Sequence, residues 1–236
     1  RYIGKSNQLC MLDLTKNLAY DRLSRKLIKK LIRPTDNCID VGAHKGEFLS
    51  YFHKQAPKGQ HLAFEPIPHH YLALRKKWID LAEIYPFALS NKKGQSEFQW
   101  VKNAEAYSGF KQRKYKVHNP EIEIISVETH LLDEFKNDES PIRFIKIDVE
   151  GAELLVLQGA KEILKTHKPF VLFEFGLGAS DYYQNTPEDV FRFFDSLDYS
   201  ILRLKEALKG NNAFDLESFK KAYASNSDYY FWAAPR

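Results

Sequence analysis

An acid and two glycines follow one another closely in residues 38–48, CIDVGAHKGEF. A glycine turn after a buried strand brings the backbone close to a ligand in many α/β folds. A dinucleotide fingerprint requires glycines at positions 42, 44 and 47, but only Gly42 is present, with His44 and Glu47 at the other two. A Walker A loop is not matched either, because no Gly-Lys-Ser/Thr closes the turn. Phosphate binding is therefore disfavoured at this turn.

Two acids beside the turn favour a cationic ligand that contains a ribose. Asp40 ends the first strand, where its carboxylate would repel a pyrophosphate and attract an amine or a sulfonium. Glu65 ends the next predicted strand and offers two oxygens to the hydroxyls of a ribose. S-adenosylmethionine has a ribose, a positive charge and no phosphate, so the pattern indicates this cofactor. The turn DVGxxxG alone also occurs as an ordinary structural turn.

A second group of acids follows two later predicted strands. Asp148 and Glu150 lie in FIKIDVEGAELLVLQGA, residues 144–160, and Glu174 lies in VLFEF. An acid in an apolar strand is usually paired or functional. The three carboxylates could hold the cofactor's amino group, serve as a general base or bind a divalent ion. For Glu150 the alternative is a structural role at the start of the following helix.

Alternating strand and helix patterns bring these acids to one edge of a sheet. Repeated strand–helix units predict a mostly parallel sheet with helices on both faces, and such sheets bind ligands at the carboxyl ends of their strands. Pro86 predicts a kink or an edge in the third strand. The predicted strands are 38–41, 61–66, 82–89, 95–101, 121–127, 142–149, 169–175, 199–204 and 228–234, and the predicted helices are 14–32, 46–55, 68–79, 129–135, 153–165, 187–197 and 214–224.

Length and composition indicate one domain over residues 1–236, with a helical extension at 1–34 and a catalytic core at 35–236. The hydrophobic content of 44% and charged content of 28% are ordinary for a globular protein. The net charge of +4 is too small to indicate nucleic-acid binding. Cys10 and Cys38 make no disulfide framework, and no stretch has the length and apolarity of a signal peptide or a membrane span. We therefore expect a cytoplasmic protein.

Residues 102–120, KNAEAYSGFKQRKYKVHNP, form a long segment without clear periodicity. Loops of this length tend to be functional or disordered. Its aromatic residues could line a small-molecule pocket, and its basic residues favour an acidic acceptor, with a solvated basic loop as the alternative. The predicted acceptor-binding residues are Tyr107, Ser108, Phe110 and His118, and the basic residues are Lys111, Arg113, Lys114 and Lys116.

Six segments together resemble the FkbM-type family of S-adenosylmethionine-dependent methyltransferases. They are IDVGAHKGEF, FEPIPHHYLAL, ALSNKKGQSEF, VETHLLDEF, FIKIDVEGAELLVLQGA and VLFEFG, in order over roughly residues 35–176. The resemblance implies an α/β, Rossmann-like class I methyltransferase fold, whose central seven-stranded sheet is mostly parallel with an antiparallel last strand at 228–234. It also implies transfer of a methyl group to a hydroxyl on a sugar or natural-product intermediate.

The resemblance also implies roles for residues at the matching positions. His44 departs from the family, which usually has asparagine there. Asp148, Glu150 and Glu174 are the predicted catalytic bases, and His118 is a further candidate. No metal ligand is predicted, although the three carboxylates could accept a divalent ion. The implied cofactor-binding residues are Asp40, Gly42, Ala43, His44 and Gly46 for the methionine part, Glu65 and Pro66 for the ribose, Phe87 and Ala88 for the adenine, and Asp148 for the amino group or the acceptor.

Two other functions remain open at this level. A nicotinamide-dependent oxidoreductase would share the sheet, but the chain lacks its glycines. A non-enzymatic module that binds RNA or a partner protein could use the basic helix at 21–33, and it would not need acids at the strand ends. We expect a small-molecule or carbohydrate acceptor, no nucleic acid and no integral membrane segment. The oligomeric state is not predicted.

Overall fold

A computed structural model describes residues 5–236, with side chains from residue 16 onward. Residues 1–4 of the predicted extension and the side chain of Cys10 therefore lie outside the described part. The strands are β1 (Asn37–Val41), β2 (Leu62–Phe64), β3 (Glu83–Tyr85), β4 (Ala88–Leu89), β5 (Gly94–Val101), β6 (Ile122–His130), β7 (Ile142–Ile147), β8 (Phe170–Glu174), β9 (Tyr199–Arg203) and β10 (Tyr230–Pro235). The helices are α1 (Lys5–Leu31), α2 (Glu47–Gln55), α3 (Pro68–Trp78), α4 (Glu153–Gln158), α5 (Lys161–Thr166), α6 (Pro187–Asp195), α7 (Leu204–Lys209) and α8 (Leu216–Ala224).

The central sheet has seven strands in the order β3–β2–β1–β7–β8–β10–β9. β10 runs antiparallel to both of its neighbours, whereas the other pairs are parallel. The adjacent strands β1 and β7 lie where the strand order reverses, which is where open α/β sheets bind ligands. This arrangement confirms the predicted Rossmann-like fold with its antiparallel last strand.

Pro86 separates two strands that belong to different sheets. β3 forms the edge of the central sheet, whereas β4 belongs to a second sheet with the order β4–β6–β5. Proline has no amide hydrogen to donate to a strand ladder, so the strand cannot continue unchanged through this position. The prediction of one strand over 82–89 is therefore wrong.

The second sheet also replaces a predicted helix. The local pattern predicts a helix over 129–135, but Thr129 and His130 continue β6 and pair with β4. Only Leu132–Phe135 form a short 3₁₀ turn. Strand pairing across the chain overrides the local helical pattern here.

Gly159 divides the helix that the pattern predicts over 153–165 into α4 and α5. A Cβ at Gly159 would lie 2.1 Å from the carbonyl oxygen of Ser90, so the backbone at this corner packs directly on the end of β4. The short helix α7, which follows β9, was not predicted.

The core fills both faces of the central sheet, because successive side chains of a buried strand point to opposite sides. Ile39 and Ile145 belong to one buried cluster, and Cys38 and Phe144 belong to the other. The Phe144 ring stacks on the fully buried Trp232, 5.3 Å between centroids. Cys38 is a free cysteine in this core, and burial raises the pKa of its thiol.

Several basic side chains of α1 contact the protein itself. Lys16 donates to a backbone carbonyl at Asn226 (3.2 Å) and Lys30 to one at Leu208 (2.7 Å). The Arg25 guanidinium lies 4.6 Å from the centroid of the Tyr51 ring. Lys30 and Arg25 of the predicted basic helix therefore contact the protein itself, whereas Arg22, Lys26 and Lys29 are exposed. Among the described residues, no helix combines the length and apolarity needed to cross a bilayer.

Candidate active site

The turn between β1 and α2 depends on its two glycines. Gly42 and Gly46 have φ angles of 73° and 75°, a region that other residues rarely adopt. A Cβ at Gly42 would lie 2.0 Å from the carbonyl oxygen of Asp148. The N–H groups of Gly42 and Ala43 both donate to the carbonyl of Phe64, at 3.0 and 3.1 Å. The glycine turn is therefore packed against the ends of both β2 and β7.

The Glu65 carboxylate accepts hydrogen bonds from the backbone that follows β1 and from the backbone that follows β2. Its Oε2 accepts a hydrogen bond from the N–H of His44 (2.8 Å), and its Oε1 accepts one from the N–H of Ile67 (2.9 Å). Burial raises the pKa of Glu65 to about 7, although the two hydrogen bonds oppose the shift. A carboxylate oxygen can accept a second hydrogen bond, so Glu65 retains acceptor capacity for a ribose.

Asp40 and Lys146 form a buried ion pair below the glycine turn. Lys146 Nζ lies 3.3 Å from Asp40 Oδ1 and donates to the carbonyl of Gly42 at 2.7 Å. Burial raises the pKa of Asp40. Burial also opposes the charge of Lys146, but the carboxylates of Asp40 and Asp148 outweigh it and raise the pKa of Lys146 overall. Lys146 was not a predicted site residue, although a lysine between Ile145 and Ile147 in a buried strand is a signal that could have identified it.

The three predicted catalytic carboxylates come together at the carboxyl edge of the sheet. One oxygen each from Asp148, Glu150 and Glu174 lies within 4.8 Å of the other two. Tyr230, which was not predicted, donates its hydroxyl to Asp148 Oδ2 at 2.6 Å. Because β10 is antiparallel, its first residue lies opposite Glu174, at the edge where β8 ends. All four residues are half-buried, so the cluster is accessible from solvent.

The pKa values of Asp148 and Glu174 are shifted in opposite directions. Burial and the charges of Asp148 and Glu150 raise the pKa of Glu174 well above its ordinary value. Burial opposes ionisation of Asp148 as well, but Lys146 and the hydrogen bonds from Glu174 and Tyr230 lower its pKa overall. These opposite shifts make Asp148 the more acidic of the two and favour a proton on Glu174, between the two carboxyl groups. This distribution favours Asp148 over Glu174 as a base.

Glu150 is held by the irregular segment 102–120. Its carboxylate forms a close ion pair with Arg113, whose side chain is almost fully buried. Arg113 also donates to the carbonyl oxygens of Gly178 (2.9 Å) and Tyr107 (3.4 Å). Burial opposes ionisation of Glu150 and raises its pKa, and the Arg113 charge opposes this shift and favours the carboxylate. Arg113 thus anchors the segment over the acidic cluster.

The predicted acceptor-binding residues of this segment lie in different environments. Tyr107 packs under the Arg113 guanidinium, 5.3 Å from its ring centroid. Ser108 is buried, and its hydroxyl accepts a hydrogen bond from the last amide of β5 at 3.0 Å. Phe110 packs edge-on against a phenylalanine ring of β5 at 5.8 Å. His118 is exposed. Of these four, Tyr107 is connected to the acidic cluster, through Arg113.

The residues assigned to the adenine and ribose lie along the neighbouring strand ends. Pro66 is half-buried beside Glu65, and Phe87 and Ala88 form the corner between β3 and β4. The Phe87 ring lies 4.1 Å from the ring of His130, which restrains its orientation. Ala88 is buried in the small core of the second sheet.

A histidine pair and a glutamate meet on the other side of the glycine turn. One donor atom each from His44, His70 and Glu105 lies within 4.8 Å of the other two. Burial lowers the pKa of both histidines, so both are neutral near pH 7. No sequence spacing connects these three positions, and only His44 was a predicted site residue.

A cavity of about 320 Å³ lies at the opposite edge of the central sheet. Its lining includes Asn37, Leu62, Glu83 and Ile142, which begin β1, β2, β3 and β7. Open α/β sheets bind ligands at the carboxyl ends of their strands, not at these amino ends. The acidic edge is therefore the candidate active site.

Comparisons with known proteins identify the family of the chain. A family model described as the methyltransferase FkbM domain matches residues 40–201, which is more than half of the chain. The matched range includes the glycine turn and the three strand-end acids. No curated protein matches the sequence significantly.

Solved structures share the fold at low sequence identity. A methyltransferase FkbM from Methylobacillus flagellatus KT is 18% identical with a TM-score of 0.50, over 72% of this chain and 40% of that one. The present chain thus spans less than half of that relative's length. A candidate rRNA methylase from Clostridium thermocellum is 10% identical with a TM-score of 0.50, over 89% and 92% of the two chains.

Proposed function

This chain belongs to the FkbM methyltransferase family, and from that premise we propose that it moves a methyl group from S-adenosylmethionine to a hydroxyl of a small molecule or carbohydrate. A hydroxyl acceptor needs a group that takes its proton as the new bond forms. One observation carries the proposal: Asp148 is half-buried at the carboxyl edge of the sheet and in direct backbone contact with the glycine turn, and Lys146 and two hydrogen bonds outweigh burial and lower its pKa.

The residues around the glycine turn fit S-adenosylmethionine. Both carboxylate oxygens of Asp40 are buried without a hydrogen bond, so the ion pair with Lys146 leaves acceptor capacity below the turn. Glu65 has free acceptor positions for the ribose hydroxyls. When bound, S-adenosylmethionine supplies an electrophilic methyl group on a positively charged sulfur. The residues proposed to hold it are Asp40, Gly42, Ala43, His44, Gly46, Glu65, Pro66, Phe87, Ala88 and Asp148.

Asp148 is the proposed general base, and three neighbours set its state. The Tyr230 hydroxyl and protonated Glu174 orient the carboxylate, and Lys146, 3.7 Å from Oδ2, stabilises its negative charge. These groups hold Asp148 in one position, which favours proton transfer from an aligned hydroxyl. The three neighbours also make Asp148 a weaker base. Asp148 is therefore proposed to accept the proton of the acceptor hydroxyl while the oxygen attacks the methyl group, and not before.

Segment 102–120 is proposed to cover the acceptor. Arg113 fixes this segment to Glu150, which places the Tyr107 ring beside the acidic cluster. Because Arg113 is already paired, an acidic acceptor would rely on the exposed side chains of Lys111 and Lys114. The cytoplasmic location and the lack of a nucleic-acid partner remain predictions from composition.

Calorimetry with S-adenosylhomocysteine tests the cofactor, with NAD⁺ as the matched ligand that the turn should reject. We expect the first to bind and the second to give no heat. Binding of NAD⁺ alone, or of neither ligand, would refute the proposal.

The base is tested with a panel of hydroxylated small molecules and sugars. Once an acceptor is found, Asp148→Asn should lower the methylation rate by about 100- to 10,000-fold, the usual contribution of a general base. The matched variant Asp80→Asn, which changes an exposed aspartate after α3, should leave the rate unchanged. An unchanged rate in Asp148→Asn would remove this residue from the mechanism.

A further inference from the structure

His44, His70 and Glu105 come from three distant parts of the chain and converge beside the glycine turn. Nε2 of His70 lies 2.9 Å from Oε2 of Glu105, and the two histidine rings are 4.3 Å apart between centroids. Two donors that each lie about 2.1 Å from one ion at octahedral or tetrahedral angles are about 3.0–3.4 Å from each other. The separation of His70 and Glu105 is therefore close to that of two ligands of one metal ion.

His70 provides a second, independent observation. The residue is only 5% exposed, and its Nε2 forms no hydrogen bond, although Glu105 Oε2 lies 2.9 Å away. A buried polar atom without a partner is costly and uncommon. An ion between His70 Nε2 and Glu105 Oε2 would satisfy both atoms at once.

Glu105 is oriented as a metal-binding carboxylate would be. Its Oε1 is contacted by Trp100 Nε1 at 3.2 Å and by His69 Nε2 at 2.9 Å. These two contacts hold the Glu105 carboxylate through Oε1, so that Oε2 remains directed to His70. In protein metal sites, residues that contact a ligand side chain without binding the metal commonly hold that side chain in place.

We propose that His44, His70 and Glu105 form a binding site for one divalent transition-metal ion, with Zn²⁺ as the reference ion. Two imidazoles and one carboxylate are a ligand set of Zn²⁺ and Fe²⁺ sites, whereas Mg²⁺ and Ca²⁺ prefer oxygen ligands. Three protein ligands leave a coordination position open.

The site has a structural consequence for the proposed acceptor segment. Glu105 begins a 3₁₀ turn within segment 102–120, and His44 lies in the glycine turn. The ion therefore ties this segment to the glycine turn. Arg113 anchors the same segment to Glu150 on the other side, so the metal site supplies a second attachment.

Metal binding is tested on untagged protein that has been dialysed against a chelator. We expect Zn²⁺ titration against a chromogenic chelator to show one equivalent bound, and Co²⁺ to give the absorption bands of a nitrogen–oxygen site. His44→Asn and Glu105→Gln should each lower the Zn²⁺ affinity by at least about 100-fold, because loss of an outer partner alone costs about 10- to 100-fold. Excess Mg²⁺ should not compete.

His118→Asn is the matched control, because it removes an exposed histidine from the same segment. Asparagine tolerates the φ of 47° at His44, so His44→Asn should keep the fold, which circular dichroism checks. Failure of the wild type to bind Zn²⁺ would overturn the proposal. So would an unchanged affinity in both folded variants. We also expect Zn²⁺ to slow tryptic cleavage within residues 111–116 in the wild type but not in Glu105→Gln. Equal slowing by Zn²⁺ in both proteins would overturn the tether.

Discussion

Lys146 Nζ lies 3.3 Å from Oδ1 of Asp40, and the two residues are direct neighbours in the register of β7 and β1. Neither side chain is more than 5% exposed. Removing one member of a buried pair leaves the other charge unpaired, which typically costs about 3–5 kcal/mol. We therefore expect Lys146→Met and Asp40→Asn each to lower the free energy of unfolding by about this amount, as measured by urea denaturation.

The double variant distinguishes a coupled pair from two independent residues. It removes both members of the pair, so its loss should be clearly smaller than the sum of the two single losses, although Asp148 then also lacks Lys146 at 3.7 Å. Lys220→Met, which removes a lysine from an exposed pair with Glu217, should have little effect. Additive losses in the double variant would contradict the coupling.

Gly42→Ala should destabilise the protein more than a glycine substitution at a similar backbone angle. The methyl group would lie 2.0 Å from the Asp148 carbonyl, whereas Gly210 has a φ of 78° and open space around it. Gly210→Ala should cost only the strain of the left-handed conformation, about 1–2 kcal/mol. Gly42→Ala should cost at least about 1–3 kcal/mol more from overpacking, and it should abolish binding of S-adenosylhomocysteine. Equal melting temperatures for the two variants would disprove the close contact.

Glu65 should make the unliganded protein less stable as the pH rises from about 4.5 to 7. Its pKa is raised from the ordinary value of 4.5 to about 7 in the folded state, so the folded protein binds the proton more tightly than the unfolded chain. The resulting stabilisation is complete below pH 4.5 and is lost as the pH rises through 7. A shift of this size corresponds to on the order of 3 kcal/mol.

Glu65→Gln removes this titration while keeping the size of the side chain. We expect the stability of the variant relative to the wild type to increase between pH 4.5 and 7, with urea midpoints measured at each half unit. Parallel pH profiles for the two proteins would show that Glu65 does not carry this dependence.

Tyr230→Phe should raise the pKa of Asp148. The tyrosine donates a 2.6 Å hydrogen bond that stabilises the ionised carboxylate, and loss of such a bond favours the protonated form. Carboxyl carbon chemical shifts in labelled protein should show Asp148 titrating at a higher pH, and the acid limb of the methylation rate should move in the same direction. Tyr71→Phe, in α3, should leave the titration unchanged. No shift in Tyr230→Phe would mean that the bond does not control the state of Asp148.

The strand-end acids were predictable because their signals are local. An acid that follows an alternating apolar run, with a glycine after it, marks the carboxyl end of a strand without knowledge of its neighbours. Asp40 and Asp148 were predicted in this way. Lys146 and Tyr230 act through pairing between strands, and the Tyr230–Asp148 bond joins residues 82 positions apart. One sequence does not show which distant strands will be neighbours.

The second sheet illustrates the same limit. Pro86 was a correct sign of a break, but its consequence depended on β6, which lies about 40 residues later and pairs with β4. The site of His44, His70 and Glu105 was even harder to predict from sequence, because these residues meet only after three parts of the chain have packed together.

The reversed direction of β10 has a consequence for the order in which the protein can mature. Asp148 and Glu174 leave the ribosome well before Tyr230, which begins the last described strand. Until that strand inserts between β8 and β9, Asp148 lacks the Tyr230 hydroxyl, and the sheet keeps a gap at this position. Contacts between distant parts of a chain form slowly. Asp148 therefore acquires its Tyr230 hydrogen bond only after residues 230–235 have been synthesised and have paired with β8, although the three carboxylates themselves come earlier in the chain.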